Sequence, residues 1–317
     1  MNNFHKQNIT KIKGDASFRE FYRKKNHKFT SIIVKANKEK EKNLLIYDSI
    51  NRILNKNKIF APKLYIEKYN KNYIEIQDFG DKTFYELLKK KNNKFIYFKK
   101  IIEILNQIQS IKDRKIKNFK NKNYTLPKYD KKVLIKEANL FCNWYIKKKL
   151  LRKDKIIFNR EFKKIIKKLS LNLQLKNNVF VHRDFHVSNL MLIQKKIGVL
   201  DSQDALIGNR AYDLASLVDD VRFKTSHSLK KKIYNYYLET NKRINQSKFK
   251  NDFEILSVLR NLKIIGIFTR LAIRDNKKNY QRLIPHAWEL INLRVKHNKI
   301  FNDLLVLFEK FFKKQII

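Results

Sequence analysis

The fold and the chemistry of this chain are indicated most clearly by the stretch VFVHRDFHVSNL at residues 179–190, together with the more distant Asp201. Its apolar start predicts a short strand, and residues 189–201 (NLMLIQKKIGVLD) predict a β-hairpin that turns at its two lysines. Asp184 and Asn189 bracket the loop between strand and hairpin. The hairpin then returns Asp201 to the same end, so we expect the three side chains to share one site.

Two carboxylates and one amide in such a site favour phosphoryl transfer assisted by Mg²⁺. Carboxylate and amide oxygens are the hard ligands that Mg²⁺ prefers, and phosphate oxygens usually complete its octahedron. A separate carboxylate is needed to orient the attacking hydroxyl and accept its proton. Asp184, Asn189 and Asp201 supply this set of groups.

The sequence HRDFHVSN at residues 182–189 resembles the protein-kinase-like superfamily, which uses H-x-D-x-x-x-x-N and a later metal-binding aspartate. Its second histidine, His186, brings it closer to the aminoglycoside phosphotransferase and choline kinase branch. The resemblance implies ATP and Mg²⁺ as cofactors. By this resemblance, Asp184 is the catalytic base, and Asn189 and Asp201 are Mg²⁺ ligands. His182 and Asp213 are then structural supports of the catalytic loop.

A second kinase-like tripeptide, DFG at residues 78–80, precedes the catalytic loop and follows YIEIQ, where the superfamily places its hinge. We therefore interpret this tripeptide as hinge and turn. By the same resemblance, the backbone groups of Ile76, Gln77 and Asp78 contact the adenine. The metal-binding aspartate remains Asp201.

The N-terminal region offers a reduced phosphate-binding apparatus. GDASFR at residues 14–19 is a turn of small residues whose backbone N–H groups, at Gly14 and Ser17, are predicted to bind phosphate. Lys35 ends the strand SIIVK, as the phosphate-anchoring lysine ends its strand in kinases. Two glutamates are alternative partners for this lysine: Glu39 and Glu41.

The pattern of strands and helices predicts an α+β chain with a bilobal, protein-kinase-like fold. We expect a small, β-rich, nucleotide-binding N-lobe over residues 1–78. Residues 79–317 are expected to form a larger, mostly helical C-lobe with the catalytic loop and the acceptor-binding helices. The N-lobe elements predicted from periodicity are strands at 18–23, 31–35, 63–67 and 73–77 and a helix at 39–55.

The acceptor is expected to be a small molecule, because Asp201 is followed without a long activation loop or an A-P-E motif. GDASFREF, DFGDKTF, LPKYD, LDSQDALIGNRAYDLASL and LRNLKIIGIFTRLAIRD resemble one subgroup, the bacterial anomeric kinases for N-acetylmuramate and N-acetylglucosamine. The resemblance implies phosphorylation of an amino sugar in cell-wall recycling. Choline and aminoglycoside kinases are the alternatives within the class.

An amino sugar needs polar partners and an aromatic platform, and the C-terminal region offers candidates for both. Glu137 and Trp144 are spaced for one helical face, although the same spacing is typical of ordinary core. Asp204 is expected near Asp201, and three arginines on a late helix could bind a carboxylate or form surface ion pairs. The candidate acceptor residues are Glu137, Trp144, Asp204, Arg260, Arg270 and Arg274.

The composition carries a formal net charge of +44, from 73 Lys and Arg against 29 Asp and Glu in 317 residues. Lysine, asparagine and isoleucine abound, whereas there are only 5 Gly and 3 Pro, a pattern that A/T-rich codons explain without any ligand. A nucleic-acid-binding protein without enzymatic activity is therefore a remote alternative. No apolar run is long enough for a membrane span, and the N-terminus lacks a secretory h-region, so we expect a cytoplasmic enzyme.

Overall fold

The computed structural model describes residues 9–12, 19–25, 29–36 and 43–316. The chain forms two compact units, each assembled from two stretches of sequence. The first unit contains Met1–Pro127 and His182–Leu206, and the second contains Lys128–Val181 and Ile207–Ile317. Residue 78, the predicted lobe boundary, lies within the first unit, which continues to Pro127 and also takes in His182–Leu206.

The strands of the described residues are short. In chain order they are β1 (Ile9–Ile12), β2 (Glu20–Lys25), β3 (Thr30–Lys35), β4 (Leu64–Lys68), β5 (Tyr73–Gln77), β6 (Lys115–Lys117), β7 (Asn123–Thr125), β8 (Asn177–Val181), β9 (Leu190–Ile193), β10 (Lys196–Val199) and β11 (Leu206–Asn209).

The helices vary from one turn to eight. In chain order they are α1 (Asn43–Lys56), α2 (Phe84–Lys89), α3 (Phe95–Ser110), α4 (Lys131–Ala138), a π-helix (Phe141–Ile146), α5 (Lys147–Lys149), α6 (Arg152–Leu171), α7 (Ala211–Val218), α8 (His227–Glu239), α9 (Gln246–Arg274), α10 (Ile284–Val295) and α11 (Asn302–Phe312). In this described part of the chain, no helix is both long and apolar enough to cross a bilayer.

The first unit is built around a five-stranded antiparallel sheet in the order β1-β2-β3-β5-β4. Helix α1 covers one face of this sheet, where alternate strand residues pack against apolar residues of the helix. That core consists of Val34, Ala36, Leu44, Tyr47, Ile74 and Ile76, with Phe21, Ile32 and Leu64 at its edge. The mixed α+β class predicted from the sequence is confirmed.

The hairpin of β9 and β10 forms as predicted, but its turn lies one residue earlier. Gln194 and Lys195 have φ values of 44° and 70°, so the two-residue loop uses left-handed backbone without glycine. Gly198 is required on β10, because a Cβ there would lie 2.7 Å from the ring of Phe79. This close approach seats the hairpin beside the segment that follows β5.

The second unit is helical and centres on α9. Gly266 allows α9 to cross the chain closely, because a Cβ at this position would lie 2.3 Å from the carbonyl carbon of Leu140. Phe141 of the adjoining π-helix is the hub of an aromatic core. Its ring contacts the rings of Tyr145, Phe158, Phe162, Trp288, Phe308 and Phe312.

A buried ion cluster ties α8, α9 and α10 to the end of α7. The carboxylate of Asp219 accepts hydrogen bonds from Arg294 at 2.9 Å, Ser257 at 2.6 Å and Lys230 at 3.3 Å. Burial alone would raise the pKa of Asp219, but the two cations outweigh it and hold this pKa below its usual value. Asp219 is therefore a structural anion.

Candidate active site

His182 opens the loop at residues 182–189 and fixes the start of this loop against the end of the hairpin. Its imidazole is completely buried, and Nε2 lies 3.0 Å from the carbonyl oxygen of Leu200. Since a carbonyl only accepts, Nε2 carries the proton in this bond. Burial lowers the pKa of His182 to about 4, so the ring is neutral at pH 7.

This lowered pKa makes the folded state sensitive to mild acid. Between pH 6.5 and 4, the unfolded chain takes up a proton on His182 that the folded chain does not, so stability falls as the pH falls. At pH 5 we expect this residue to account for a loss of about 2 kcal/mol relative to pH 7. Urea unfolding of wild type and His182→Gln at both pH values measures the difference.

The matched control for this experiment is His227→Gln, because His227 is exposed on α8. The His182→Gln variant should lose less stability between pH 7 and pH 5 than wild type and the control. An identical loss in all three proteins would contradict the buried, neutral state of His182.

The hydrogen bonds of Asn189 within the described part of the chain leave its amide oxygen available as a ligand. Its Nδ2 donates to the carbonyl oxygen of Asp184 at 2.9 Å and lies 3.4 Å from Nε2 of His186. The carbonyl acceptor settles the amide orientation, because only the nitrogen can donate to it. Leu200 N–H donates to the Asn189 carbonyl at 2.9 Å, which joins the loop to the residue before Asp201.

Asp201, two residues after the end of β10, adopts a left-handed backbone with φ of 58°. Its Oδ1 accepts hydrogen bonds from Gln203 Nε2 at 2.9 Å and from Arg19 Nη2 at 3.4 Å. Desolvation by the surrounding protein raises the pKa of the Asp201 carboxyl, and the nearby charge of Asp184 raises it further. The positive charge of Arg19 acts in the opposite direction. A cation bound at Oδ2 would relieve both unfavourable effects.

Arg183 lies between His182 and Asp184, and it too has a left-handed backbone, with φ of 75°. For a long side chain this conformation is strained, and such strain concentrates at functional sites. The Arg183 guanidinium donates to the Asp204 carbonyl at 3.2 Å and lies 3.7 Å from its carboxylate. Asp204 is thereby held next to the loop, with its side chain 54% exposed.

The chain's own groups fit a Mg²⁺ ion that substrate phosphates help to coordinate. Asn189 Oδ1 and Asp201 Oδ2 are the two protein oxygens left available by the hydrogen bonds described above. Among the described residues, no group of three or more His, Cys, Asp or Glu side chains could hold a metal by itself. A site with one or two protein ligands is typical of Mg²⁺ bound with a nucleotide.

The predicted hinge residues lie at the end of β5. Ile76 is buried in the sheet core, and Gln77 Oε1 is buried without a hydrogen-bond partner among the described residues. Asp78 is bound by the guanidinium of Arg23, at 2.7 and 3.1 Å, and by the N–H of Gly80 at 2.8 Å. The bond from the Gly80 N–H to the Asp78 carboxylate closes a local turn at DFG, and the contact of this segment with adenine stays a prediction.

Of the other predicted nucleotide contacts, Lys35 lies within the described residues. Gly14 and Ser17, like the alternative lysine partners Glu39 and Glu41, lie outside the described residues. Lys35 is described, and it sits opposite Glu20 in the pairing of β2 and β3. This places its side chain on the face of the sheet turned away from α1, which does not favour the predicted phosphate contact.

The remaining predicted residues belong to the second unit, and most have protein partners there. Asp213 is completely buried on α7. Glu137 accepts hydrogen bonds from Lys263 at 2.9 Å and from the Tyr129 hydroxyl. Trp144 is half-buried in the π-helix, whose wider turn breaks the helical spacing predicted for Glu137 and Trp144. Phe141 and Tyr145 of the same π-helix are buried in the core.

The three arginines of α9 differ in their surroundings. Arg274 is 57% exposed and forms an ion pair with Asp275, as its surface alternative predicts. Arg270 is half-buried, and burial lowers its pKa, with a further contribution from the Arg274 charge. Arg260 is only 4% exposed, and its Nη1 has no hydrogen-bond partner among the described residues.

Comparison with known proteins now identifies the family. Residues 8–244 match the sequence profile of APH, the phosphotransferase enzyme family. The chain belongs to this phosphotransferase family. The matched segment includes Asp184, Asn189 and Asp201, the three residues that the structure gathers at the loop and hairpin.

Curated relatives of this phosphotransferase span most of its length. A protein named N-acetylmuramate/N-acetylglucosamine kinase from Neisseria meningitidis is 26% identical over 283 residues, covering 87% of this chain and 82% of the relative. A protein of the same name from Pseudomonas aeruginosa is 27% identical over 287 residues, covering 89% and 82%. With the family match, these relatives make the chain a small-molecule kinase.

Solved structures confirm the kinase-like fold. A choline/ethanolamine kinase family protein from Mesorhizobium loti aligns with a TM-score of 0.64 and 10% identity, covering 96% of this phosphotransferase and 93% of that chain. An ADP-bound aminoglycoside phosphotransferase aligns with a TM-score of 0.60 and 16% identity, covering 90% and 93%. At these identities the likeness concerns the fold.

Three residues around the phosphotransferase loop were not assigned a role from the sequence. His186 lies beside the amide of Asn189, while Gln203 and Arg19 contact Asp201. For Arg19 the only indication in the sequence is that arginine is scarce among the 73 basic residues. For Gln203 the sequence offers no indication apart from its closeness to Asp201.

Proposed function

We propose that this enzyme transfers the γ-phosphoryl group of Mg²⁺-bound ATP to the anomeric hydroxyl of an N-acetylated amino sugar, as a step in cell-wall recycling. The observation that carries the proposal is the grouping of Asp184, Asn189 and Asp201 in a chain whose curated relatives are named N-acetylmuramate/N-acetylglucosamine kinases. The geometry supports the reaction class, and the relatives support the acceptor.

Each residue of the loop has a distinct part in this proposal. Asp184 orients the acceptor hydroxyl and takes its proton as the oxygen attacks. Asn189 and Asp201 hold the metal, with the Asn189 amide kept in place by the Asp184 carbonyl and His186. When bound with ATP, Mg²⁺ would stabilise the negative charge on the phosphoryl group during its transfer.

Arg260 is proposed to recognise the acceptor carboxylate that N-acetylmuramate carries and N-acetylglucosamine lacks. A buried guanidinium without an acidic partner is costly unless an anion joins it. Arg260 is buried, and its Nη1 has no hydrogen-bond partner among the described residues, whereas Arg270 is only half-buried and Arg274 is already paired with Asp275. Among the three predicted arginines, Arg260 is therefore the best candidate.

The proposed function is tested by ADP release from purified protein with Mg²⁺ and ATP. Four acceptors are compared: N-acetylmuramate, N-acetylglucosamine, choline and kanamycin. We expect turnover with the amino sugars only, and ³¹P NMR of the product should show a phosphate coupled to the anomeric proton. Turnover with choline or kanamycin alone would instead assign the alternative small-molecule class.

The role of Arg260 predicts a selective effect on one acceptor. In Arg260→Met, kcat/KM for N-acetylmuramate should fall by about 10-fold or more, as expected for loss of a charge-assisted hydrogen bond. Turnover of N-acetylglucosamine should change much less. Arg282→Met, at an exposed arginine, is the control. Equal losses for both sugars would refute the recognition of the carboxylate by Arg260.

A further inference from the structure

The register of the N-terminal sheet places two cationic side chains, Lys35 and Arg19, on opposite faces of the sheet. Along β3, side chains alternate, and Val34 points into the core beneath α1 together with Ala36, just beyond the strand. Lys35 therefore points the other way. Ala36, the residue that follows β3 and is buried beneath α1, has no charged side chain.

Lys35 stands near an acidic residue on that other face. In the antiparallel pairing of β2 with β3 it stands opposite Glu20, so the two side chains lie on the same side of the sheet. Glu20 also accepts a hydrogen bond from Lys11 at 2.6 Å. This cluster of Lys11, Glu20 and Lys35 is on the face opposite to the core under α1.

Arg19 lies on the inner face. It is two residues before Phe21, which packs against the core under α1, and its side chain is only 5% exposed. The Arg19 guanidinium stacks 5.6 Å from the ring centroid of Tyr47 on α1. It donates to Gln203 Oε1 at 3.1 Å and to Asp201 Oδ1 at 3.4 Å.

Gln203 links this arginine to the predicted metal ligand. One end of its amide accepts from Arg19, and the other end donates to Asp201 Oδ1 at 2.9 Å. Because Gln203 and the side chain of Arg19 are both buried, the bond between them is shielded from solvent. A charged guanidinium is thus held beside Asp201 with its orientation fixed.

Helix α1 presents neutral groups at this point. Its Asn51 accepts a hydrogen bond from Ser202 Oγ at 2.8 Å, and its Tyr47 supports Arg19. The one acidic residue within α1, Asp48, is bound to Arg52 and to the N–H of Phe119. The described part of α1 therefore contributes no free carboxylate to hold a lysine.

We propose that Arg19, and not Lys35, is the cation that binds the phosphates of the nucleotide in this enzyme. The proposal rests on the proposed function. Its guanidinium already neutralises Asp201, and with a metal at Asp201 it would be positioned to bind the phosphate oxygens that share that metal. A guanidinium suits this task because its planar set of donors can bind two phosphate oxygens at once.

The test measures nucleotide affinity by isothermal titration calorimetry, independently of turnover. In Arg19→Gln, the affinity for ATP with Mg²⁺ should fall by about 10-fold or more, whereas the affinity for adenosine, which lacks phosphate, should stay within about 2-fold. Arg19→Lys should lie between Arg19→Gln and wild type. Arg52→Gln, at an arginine that pairs with Asp48 on α1, is the matched control.

Thermal denaturation of each variant separates loss of binding from loss of folding. Because Arg19 is buried, Arg19→Lys serves as the decisive variant if Arg19→Gln does not fold. Wild-type ATP affinity in both Arg19 variants, with a 10-fold loss in Lys35→Ala, would overturn the proposal and restore Lys35. Failure of the wild type to bind ATP would overturn the proposed function, and this inference with it.

Discussion

Asp184→Asn is expected to lower kcat by about 10³-fold while leaving nucleotide affinity nearly unchanged. Asparagine keeps the shape of the side chain but cannot accept the proton of the attacking hydroxyl. The loop should persist in the variant, because it is the backbone carbonyl of Asp184 that accepts from Asn189 and from the N–H of His186. Steady-state ADP release with the best acceptor measures the effect.

Two further measurements make this test decisive. Calorimetric titration with Mg²⁺ and ATP checks that Asp184→Asn still binds the nucleotide. The control is Asp113→Asn, in which a carboxylate paired with Lys56 and Asn57 of the same unit is neutralised. General acid–base catalysis contributes at least about 10²-fold to a rate. If Asp184→Asn kept about a tenth or more of the wild-type kcat, the catalytic role of Asp184 would therefore be refuted.

Asp201→Asn is expected to abolish the stimulation of ATP binding by Mg²⁺ and to lower kcat by about 10²-fold or more. The amide can still accept through Oδ1 from Gln203 and Arg19, so the local hydrogen bonds are largely retained. What is lost is the negative charge that Mg²⁺ requires. The variant therefore separates metal binding from the packing of the turn.

The measurement for Asp201 is a set of ATP titrations at increasing Mg²⁺ concentration. Wild type should bind ATP more tightly as Mg²⁺ rises, whereas Asp201→Asn should respond little. The same Asp113→Asn protein is the control and should respond as wild type does. If Asp201→Asn kept the full Mg²⁺ response, Asp201 would not be a ligand, and Asn189 would need another partner.

The grouping of the candidate catalytic residues could be predicted from the sequence because the information that brings them together is local. Asp184 and Asn189 are separated by four residues, and β9 and β10 pair across a two-residue turn, so short-range geometry alone brings Asp201 back to the loop. The strand β5 was likewise predicted at its observed bounds, from a run of alternating apolar residues. Thr83, the N-cap of α2, makes a local contact of the same kind, because its hydroxyl accepts from Glu86 N–H.

Other features were not predictable, because they depend on residues far apart in the chain. Arg19 contacts Asp201 across 182 positions, and no spacing rule connects an arginine before β2 to a turn after β10. The π-helix at Phe141–Ile146 shifts the spacing on which the acceptor face of Glu137 and Trp144 was predicted. A helical period of 3.6 residues cannot anticipate such a local widening.

The sequence by itself determined the family, the α+β class and the residues of the loop, since these follow from short motifs and local hydrogen bonding. Only the tertiary structure decided which cation stands beside Asp201. Strand alternation turns Lys35 toward Glu20, while sheet pairing and packing against Tyr47 bring Arg19 inward. A one-residue change of phase exchanges the two faces of a strand, and the face that is buried depends on the helix packed against it.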